Sequence, residues 1–223
     1  MLRPVTLTEV EEASNQLKAG KSPGPDGFTS NFYHHFWDLI KVKVWNVVEE
    51  SQAMHWLLPS LNVTFITLIP KEAQPSTPEK FRPIALCNII YKIISKVIAN
   101  FLKPLLPLLI SQEQSGYVEG RQILDGIILT HEIIHSLKRN KQASMLLKID
   151  LSKAFNKLSW SYIKHILTAF GFCPTWVRLL MNLITSPFCS ILVNGIPSKP
   201  YSPSKGIRVT HYPHSSLLLW QKV

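Results

Sequence analysis

The apolar positions of this chain switch between two periods, and each switch marks a predicted element. Phe32, Phe36, Leu39, Ile40, Val44, Val47 and Val48 recur at helical spacing, which predicts one long helix over residues 30–57 stopped by Pro59. Asn62 to Ile69 is instead rich in β-branched and aromatic residues and reads as a strand ending at Pro70-Lys71. Helical spacing returns with Leu86, Ile90, Ile93, Ile94, Val97 and Phe101, a helix over 86–102 that Pro104 and Pro107 should stop. Another helix is expected over 122–138. Later, Ile163, Ile166, Leu167 and Phe170 stripe a helix closed by Gly171, and Trp176, Leu179, Leu180, Leu183 and Ile184 stripe the next. Phe188 to Val193 is strand-like, Asn194-Gly195 is a strong hairpin signal, and residues 199–208 should return toward the sheet. No internal repeat is present, and from Val209 onward the pattern dissolves.

Local signals refine this outline. Thr8-Glu9-Val10-Glu11 reads as a capping box opening a helix that should run to Gly20. Lys21-Ser22-Pro23-Gly24-Pro25-Asp26-Gly27-Phe28 is too rich in proline and glycine for regular structure. It is either a weak phosphate cradle or a connection between helices, and the residues alone favour the connection. Gln114 to Arg121, with two glycines, is a second shaped loop.

The stretch that organises the chain is Leu146-Leu147-Lys148-Ile149-Asp150, followed by Leu151-Ser152-Lys153-Ala154-Phe155. Apolar residues leading to an acid read as a buried strand ending at its carboxylate. Such a carboxylate needs a cation, for which a divalent metal is the functional answer and a helix or turn cap the structural one. Lys71 and Arg82 flank the loop between a predicted strand and the next segment, well placed for a triphosphate if not simply solvated. His131-Glu132-Ile133-Ile134-His135 is a formal H-E-x-x-H, which a zinc hydrolase would use. No His or Glu nearby offers a third ligand, so an ordinary helix face is the default.

Composition then narrows the class. With 223 residues, 46% of them hydrophobic, the chain can bury one real core or two small ones. It has no run long enough to span a bilayer and no secretory segment after Met1, so an intracellular protein of the nucleus or cytoplasm, not secreted, is expected. Cys87, Cys173 and Cys189 form neither a metal spacing nor a disulfide framework. The balance of 24 Lys+Arg against 14 Asp+Glu, +10 overall, suggests a polyanionic partner, nucleic acid before a membrane surface.

Taken in order, the motifs resemble one family, the reverse transcriptase of LINE-type (non-LTR) retrotransposons in the form abundant in plant genomes. They are Lys21 to Gly27, Leu68-Ile69-Pro70-Lys71, Phe81-Arg82-Pro83-Ile84, Gln114-Ser115-Gly116-Tyr117, Gly120-Arg121-Gln122-Ile123, Asp150 to Phe155 with Trp160, Val193-Asn194-Gly195, and Pro203 to Arg208. The resemblance implies an RNA-directed DNA polymerase, a nucleotidyltransferase of α+β right-hand fold. Residues 1–145 would be fingers-like and 146–208 a partial palm, with the C-terminal palm strands and thumb missing. By similarity Lys71 and Arg82 would hold the incoming nucleotide's phosphates. Asp150 would be catalytic and bind Mg²⁺ together with the backbone carbonyl of Leu151. Phe155 would be the gate that excludes a ribose 2′-OH. RNA template, DNA primer and deoxynucleoside triphosphates would be the partners, with no membrane.

The sequence departs from that pattern in three places. Asn156 stands where the family has an acid, the glutamine-glycine-aspartate-proline stretch after Arg208 is absent, and so is the later tyrosine-x-aspartate-aspartate turn. A truncated, inactive fragment is therefore expected, with a non-catalytic basic nucleic-acid-binding module as the alternative and the zinc hydrolase behind it. The tail 209–223 is expected to be out of frame. Glycine-aspartate-proline-leucine-serine-proline-phenylalanine, the motif without its glutamine, can be written GGT GAC CCA CTA TCC CCA TTC T, and read one base later this gives Val209-Thr210-His211-Tyr212-Pro213-His214-Ser215.

Overall fold

A computed structural model describes residues 3–114, 118–141, 143–147, 149 and 154–207, with Ala154 and Phe155 described by backbone alone. The architecture is mixed α/β, with one small mixed sheet. The described chain divides into two compact units, one reaching Ile98 and resuming at Phe155, the other spanning Ala99–Ala154. The out-of-frame tail expected from Val209 lies outside the described residues.

The first unit opens with helix α1, Leu7–Asn15. Its capping box is one register earlier than expected: Thr6 is the N-cap, and its side chain and the Glu9 carboxylate satisfy each other's backbone N–H groups. Arg3 selects that register by pairing with Glu9 and holding its carboxyl below the usual range. The helix ends at Asn15 rather than Gly20. The single helix expected over 30–57 is two, α2 Ser30–His35 and α3 Trp37–Ala53, broken where Phe36 leaves helical geometry at φ −100°, ψ 16°. Phe28, Phe32 and Phe36 pack on one another, with centroids 4.7 and 5.0 Å apart. The buried face is Tyr33, Trp37, Val44 and Val48, whereas Leu39 is 78% exposed.

Strand β1, Val63–Pro70, lies inside the sheet order β2-β1-β3-β4. It pairs antiparallel with β2, Phe81–Cys87, and parallel with β3, Phe188–Val193. The helix expected from Leu86 starts three residues later, as α4 Ile89–Leu102, because Leu86 and Cys87 are held in the ladder opposite Phe65 and Thr64. Asn194 (φ 51°) and Gly195 (φ 80°) turn β3 into the short β4, Ile196–Pro197, as the sequence predicts. Tyr201 returns to the sheet, exchanging two 2.8 Å backbone hydrogen bonds with Cys189.

Two helices occupy the chain before β3: α8, Trp160–Ala169, and α9, Pro174–Thr185. They bury Ile163, Ile166 and Leu167 from one and Trp176, Val177, Leu179, Leu180 and Leu183 from the other. The carbonyls in the last turn of α9 lack helical partners. Asn62 Nδ2 donates to Leu183 O at 3.2 Å and to Ser186 Oγ at 2.9 Å, and Tyr91 Oη donates to Leu183 O at 3.3 Å.

α4 ends at Leu102 ahead of Pro104 and Pro107, as the sequence predicts, and in the second unit these prolines open new turns. Each sits at the start of a new short turn, where a missing N–H costs nothing, and α5 is Leu106–Leu109. The Arg121 guanidinium gathers three carbonyls, donating to Ile110 O at 3.1 Å, Gln114 O at 2.9 Å and Ser111 O. Helix α6, Ile123–Arg139, follows with Gln122 and Asp125 as its capping box, and buries none of its residues.

The buried strand expected before Asp150 is not seen among the described residues of that stretch, and Lys148 and Asp150 lie outside them. Residues 143–147 and 149 are irregular, with Leu146, Leu147 and Ile149 70%, 73% and 74% exposed. A strand exists only as one side of a ladder, and none of the described strands pairs with these residues. The four-residue α7, Ala154–Lys157, comes next.

Candidate functional site

The β1–β2 arm carries the two cations singled out in the sequence. Ile69 pairs with Arg82 and Pro70 with Phe81, and one step further Lys71 N donates to Lys80 O at 2.8 Å. Opposed residues of an antiparallel pair share a face, and faces alternate along each strand. Lys71, Ile69, Arg82 and Ile84 therefore line the same face. Both cations are exposed. Lys71 Nζ donates to Glu79 O at 2.7 Å, and Lys80 takes the local acid by pairing with Glu72 at 2.6 Å. That leaves the Arg82 fork without a side-chain partner among the described residues, geometry suited to a phosphate or another polyanion.

The opposite face of the arm fronts a half-open cavity of about 520 Å³. Ile66, Leu68, Pro83 and Ala85 form its sheet wall, and Trp160, Tyr201 and Lys205 its other sides. Trp160 Nε1 donates to Gly206 O at 2.8 Å, and Gly206 N to Leu158 O at 2.7 Å, fixing this wall. Burial, and then the Cys189 thiol, push the Tyr201 phenol upward. The cations and the cavity thus belong to two faces of one arm.

Asp150 and Leu151 lie outside the described residues, as does the side chain of Phe155, whose backbone is in α7; its neighbour Asn156 lines the cavity. Among the described residues no group of three His, Cys, Asp or Glu could hold a metal ion. His131, Glu132 and His135 are exposed along α6, and no third ligand is gathered with them among the described residues.

The loop at 21–28 acts as a structural clamp. Gly24 sits so close to the β2–α4 joint that a Cβ there would fall 2.4 Å from Asn88 N and Oδ1 and 2.5 Å from Cys87 C. Asp26 N donates to Asn88 Oδ1 at 3.3 Å, and Asn88 Nδ2 donates to Ser60 O at 3.4 Å. Burial raises the Asp26 carboxyl and lowers the Lys92 ammonium, and the Tyr33 phenol is pushed up to about 12. The sequence alone assigns no bonding role to Asn88, Asn62 or Arg121. Their partners lie in other elements, and of the three only Arg121 stands in a recognised motif.

Comparison with known proteins supplies the context. Residues 69–209 match the family described as "Reverse transcriptase (RNA-dependent DNA polymerase)". The chain belongs to this family. The reverse transcriptase domain is 31% identical over 205 residues to the "Transposon TX1 uncharacterized 149 kDa protein" of Xenopus laevis, covering 92% of the chain and 16% of that protein. It is 22% identical over 205 residues to the "Retrovirus-related Pol polyprotein from type-2 retrotransposable element R2DM" of Drosophila melanogaster, with 91% and 19% covered. To the "Probable RNA-directed DNA polymerase from transposon BS" of the same fly it is 24% identical over 170 residues, with 70% and 18% covered. The chain thus spans less than a fifth of the length of these relatives. These likenesses bear out the reading as a reverse transcriptase domain of the non-LTR retrotransposon kind. Among the described residues no helix is long and apolar enough to cross a membrane.

Proposed function

We propose that the domain supplies the fingers, residues 1–145, and part of the palm, residues 146–208, of an RNA-directed DNA polymerase of plant-like form. The supporting observation is that the β1–β2 register puts Lys71 and Arg82 on one exposed face. There they would hold the phosphates of an incoming deoxynucleoside triphosphate, Arg82 as a planar fork and Lys71 as a point charge. Phe155 would gate the sugar. Asp150 and the Leu151 carbonyl would take Mg²⁺, which supplies charge neutralisation at the transferring phosphoryl group when bound. RNA template and DNA primer would be the partners, which places the work in the nucleus or cytoplasm.

The 223-residue polypeptide by itself would not polymerise. It has four aspartates, and Asp26, Asp38 and Asp125 are distant in sequence from Asp150; Asp125 caps α6. One carboxylate does not hold two hard cations with open positions. Two measurements test the reading. In titrations with a fluorescent deoxynucleoside triphosphate, Arg82→Ala and Lys71→Ala should each weaken binding by roughly tenfold, the scale of a charge-assisted contact. Unchanged binding in both would remove the phosphate role. In primer extension with Mg²⁺, the chain should match its Asp150→Ala variant; incorporation above that control defeats the inactivity proposal.

The non-catalytic alternative rests on the net charge of +10. It predicts sequence-independent binding to duplexes that falls steeply with salt, unaccompanied by nucleotide binding.

A further inference from the structure

The cavity behind the β1–β2 arm is not used by the reading above. Its volume, about 520 Å³, falls within the range of small-molecule sites, roughly 300–1,000 Å³. Its sheet wall is aliphatic, from Ile66, Leu68, Pro83 and Ala85. Trp160 has committed its indole N–H to Gly206 O, so what its side chain has left to offer a ligand is an apolar ring. Tyr201 is pinned through its backbone to Cys189, which fixes a second ring at the wall. The polar groups are few and distinct: among the described lining residues are Asn156 and Lys205, both exposed, and none of the described lining residues is a carboxylate.

We propose that this cavity is a binding site for a flat aromatic anion, separate from the phosphate-facing side of the arm. The rings and aliphatic wall take the flat body, and Lys205 takes the negative group. Charge complementarity favours an anion, because a cation would meet Lys205 with no acid among the described lining residues to offset it. A nucleoside triphosphate carries more charge than one lysine can match, and Lys71 and Arg82 lie across the sheet. An occupant would bridge the arm to the segment 201–207 and fix their spacing, so the site couples ligand binding to the position of the arm's cationic face.

The test is titration of the full chain with 8-anilino-1-naphthalenesulfonate, an aromatic monoanion whose fluorescence reports a dry site. One saturable class of site is expected. Lys205→Glu, at an exposed position that leaves the fold intact, should weaken it about tenfold or more, the size of a reversed charge contact. Ala85→Phe should abolish it by filling the space. Ile127→Asp, on the exposed apolar side of α6, should leave that class unchanged. The proposal is overturned if the wild-type chain shows no saturable class. It is equally overturned if Lys205→Glu binds as wild type, if Ile127→Asp removes the class, or if deoxyadenosine triphosphate displaces the probe competitively.

Discussion

Helices α9 and α6 read alike in sequence and end up differently. Both are amphipathic, with apolar residues on a helical stripe, yet α9 buries five apolar side chains and α6 none. Ile123, Leu124, Ile127, Ile128, Leu129 and Ile133 of α6 are all exposed, as are Met145, Leu146, Leu147 and Ile149 after it. Periodicity measures a helix's capacity for burial; the partner that realises it is written elsewhere in the chain. For α9 those partners are α8 and the polar side chains that close its C-terminal turn.

The comparison is broken most directly by truncating one residue in each helix. Leu179→Ala, at a buried position of α9, should cost about 2–5 kcal/mol, whereas Ile127→Ala on α6 should stay within about 0.5 kcal/mol. Urea unfolding followed by circular dichroism reads both, and equal losses would mean that α6 is packed as tightly as α9. The next effect is backbone fit. Gly24→Ala forces a Cβ onto Asn88 and Cys87 and should cost about 1–3 kcal/mol by displacing the clamp. A neutral result in the same assay would show that the loop moves freely. Arg121→Ala should follow at about 1–2 kcal/mol, since it strands three carbonyls in a unit where α6 contributes no burial. Hydrogen exchange at residues 110–121 should rise in that variant and not at α9.

The smallest effect is a matter of sign. Burial raises the Asp26 carboxyl in the folded chain above its unfolded value. A raised carboxyl favours the folded state most below the unfolded pKa, and that contribution is lost as pH rises through the folded pKa. Asp26→Asn keeps an acceptor for the Phe28 N–H, which now donates to Asp26 Oδ1 at 3.1 Å, and removes the charge. It should therefore melt slightly higher than wild type at neutral pH, with the gap closing toward acid. A gap that widens on acidification would reverse the assignment.

What the sequence made legible was local. The Asn194-Gly195 turn, the strand ending at Pro70 and the stripes of α8 and α9 depend on neighbours a few residues away, and the structure has them. The break at Phe36 was hidden because an aromatic row at helical spacing packs equally well on itself at the surface. The Thr6 register was hidden because Thr6 and Thr8 both offer a plausible box, and Arg3 decides between them. The strand expected before Asp150 has no ladder partner among the described residues, and apolar content alone does not supply one. At the candidate site, the motifs named Lys71 and Arg82, but only the strand register puts them on one face and the cavity on the other. Asn88 and Asn62 were silent because nothing local distinguishes an asparagine that will be buried against a distant carbonyl.

The parallel pairing of β1 with β3 also has a consequence in time. Val63 meets Phe188, whereas Pro70 meets Phe81 across a short loop. The hairpin can close as soon as it is made, but the second ladder must wait for residues 71–187, and its loop-closure entropy makes it the slow step. During synthesis that wait is on the order of ten seconds, at typical rates of about 5–20 residues per second. Throughout it β1 has one bare edge of unpaired N–H and C=O groups, flanked by Phe65, Ile66 and Leu68, open to any other extended chain. A nascent chain halted before Phe188 would keep that edge permanently, so the sheet's vulnerability to misassembly is set by when its third strand arrives.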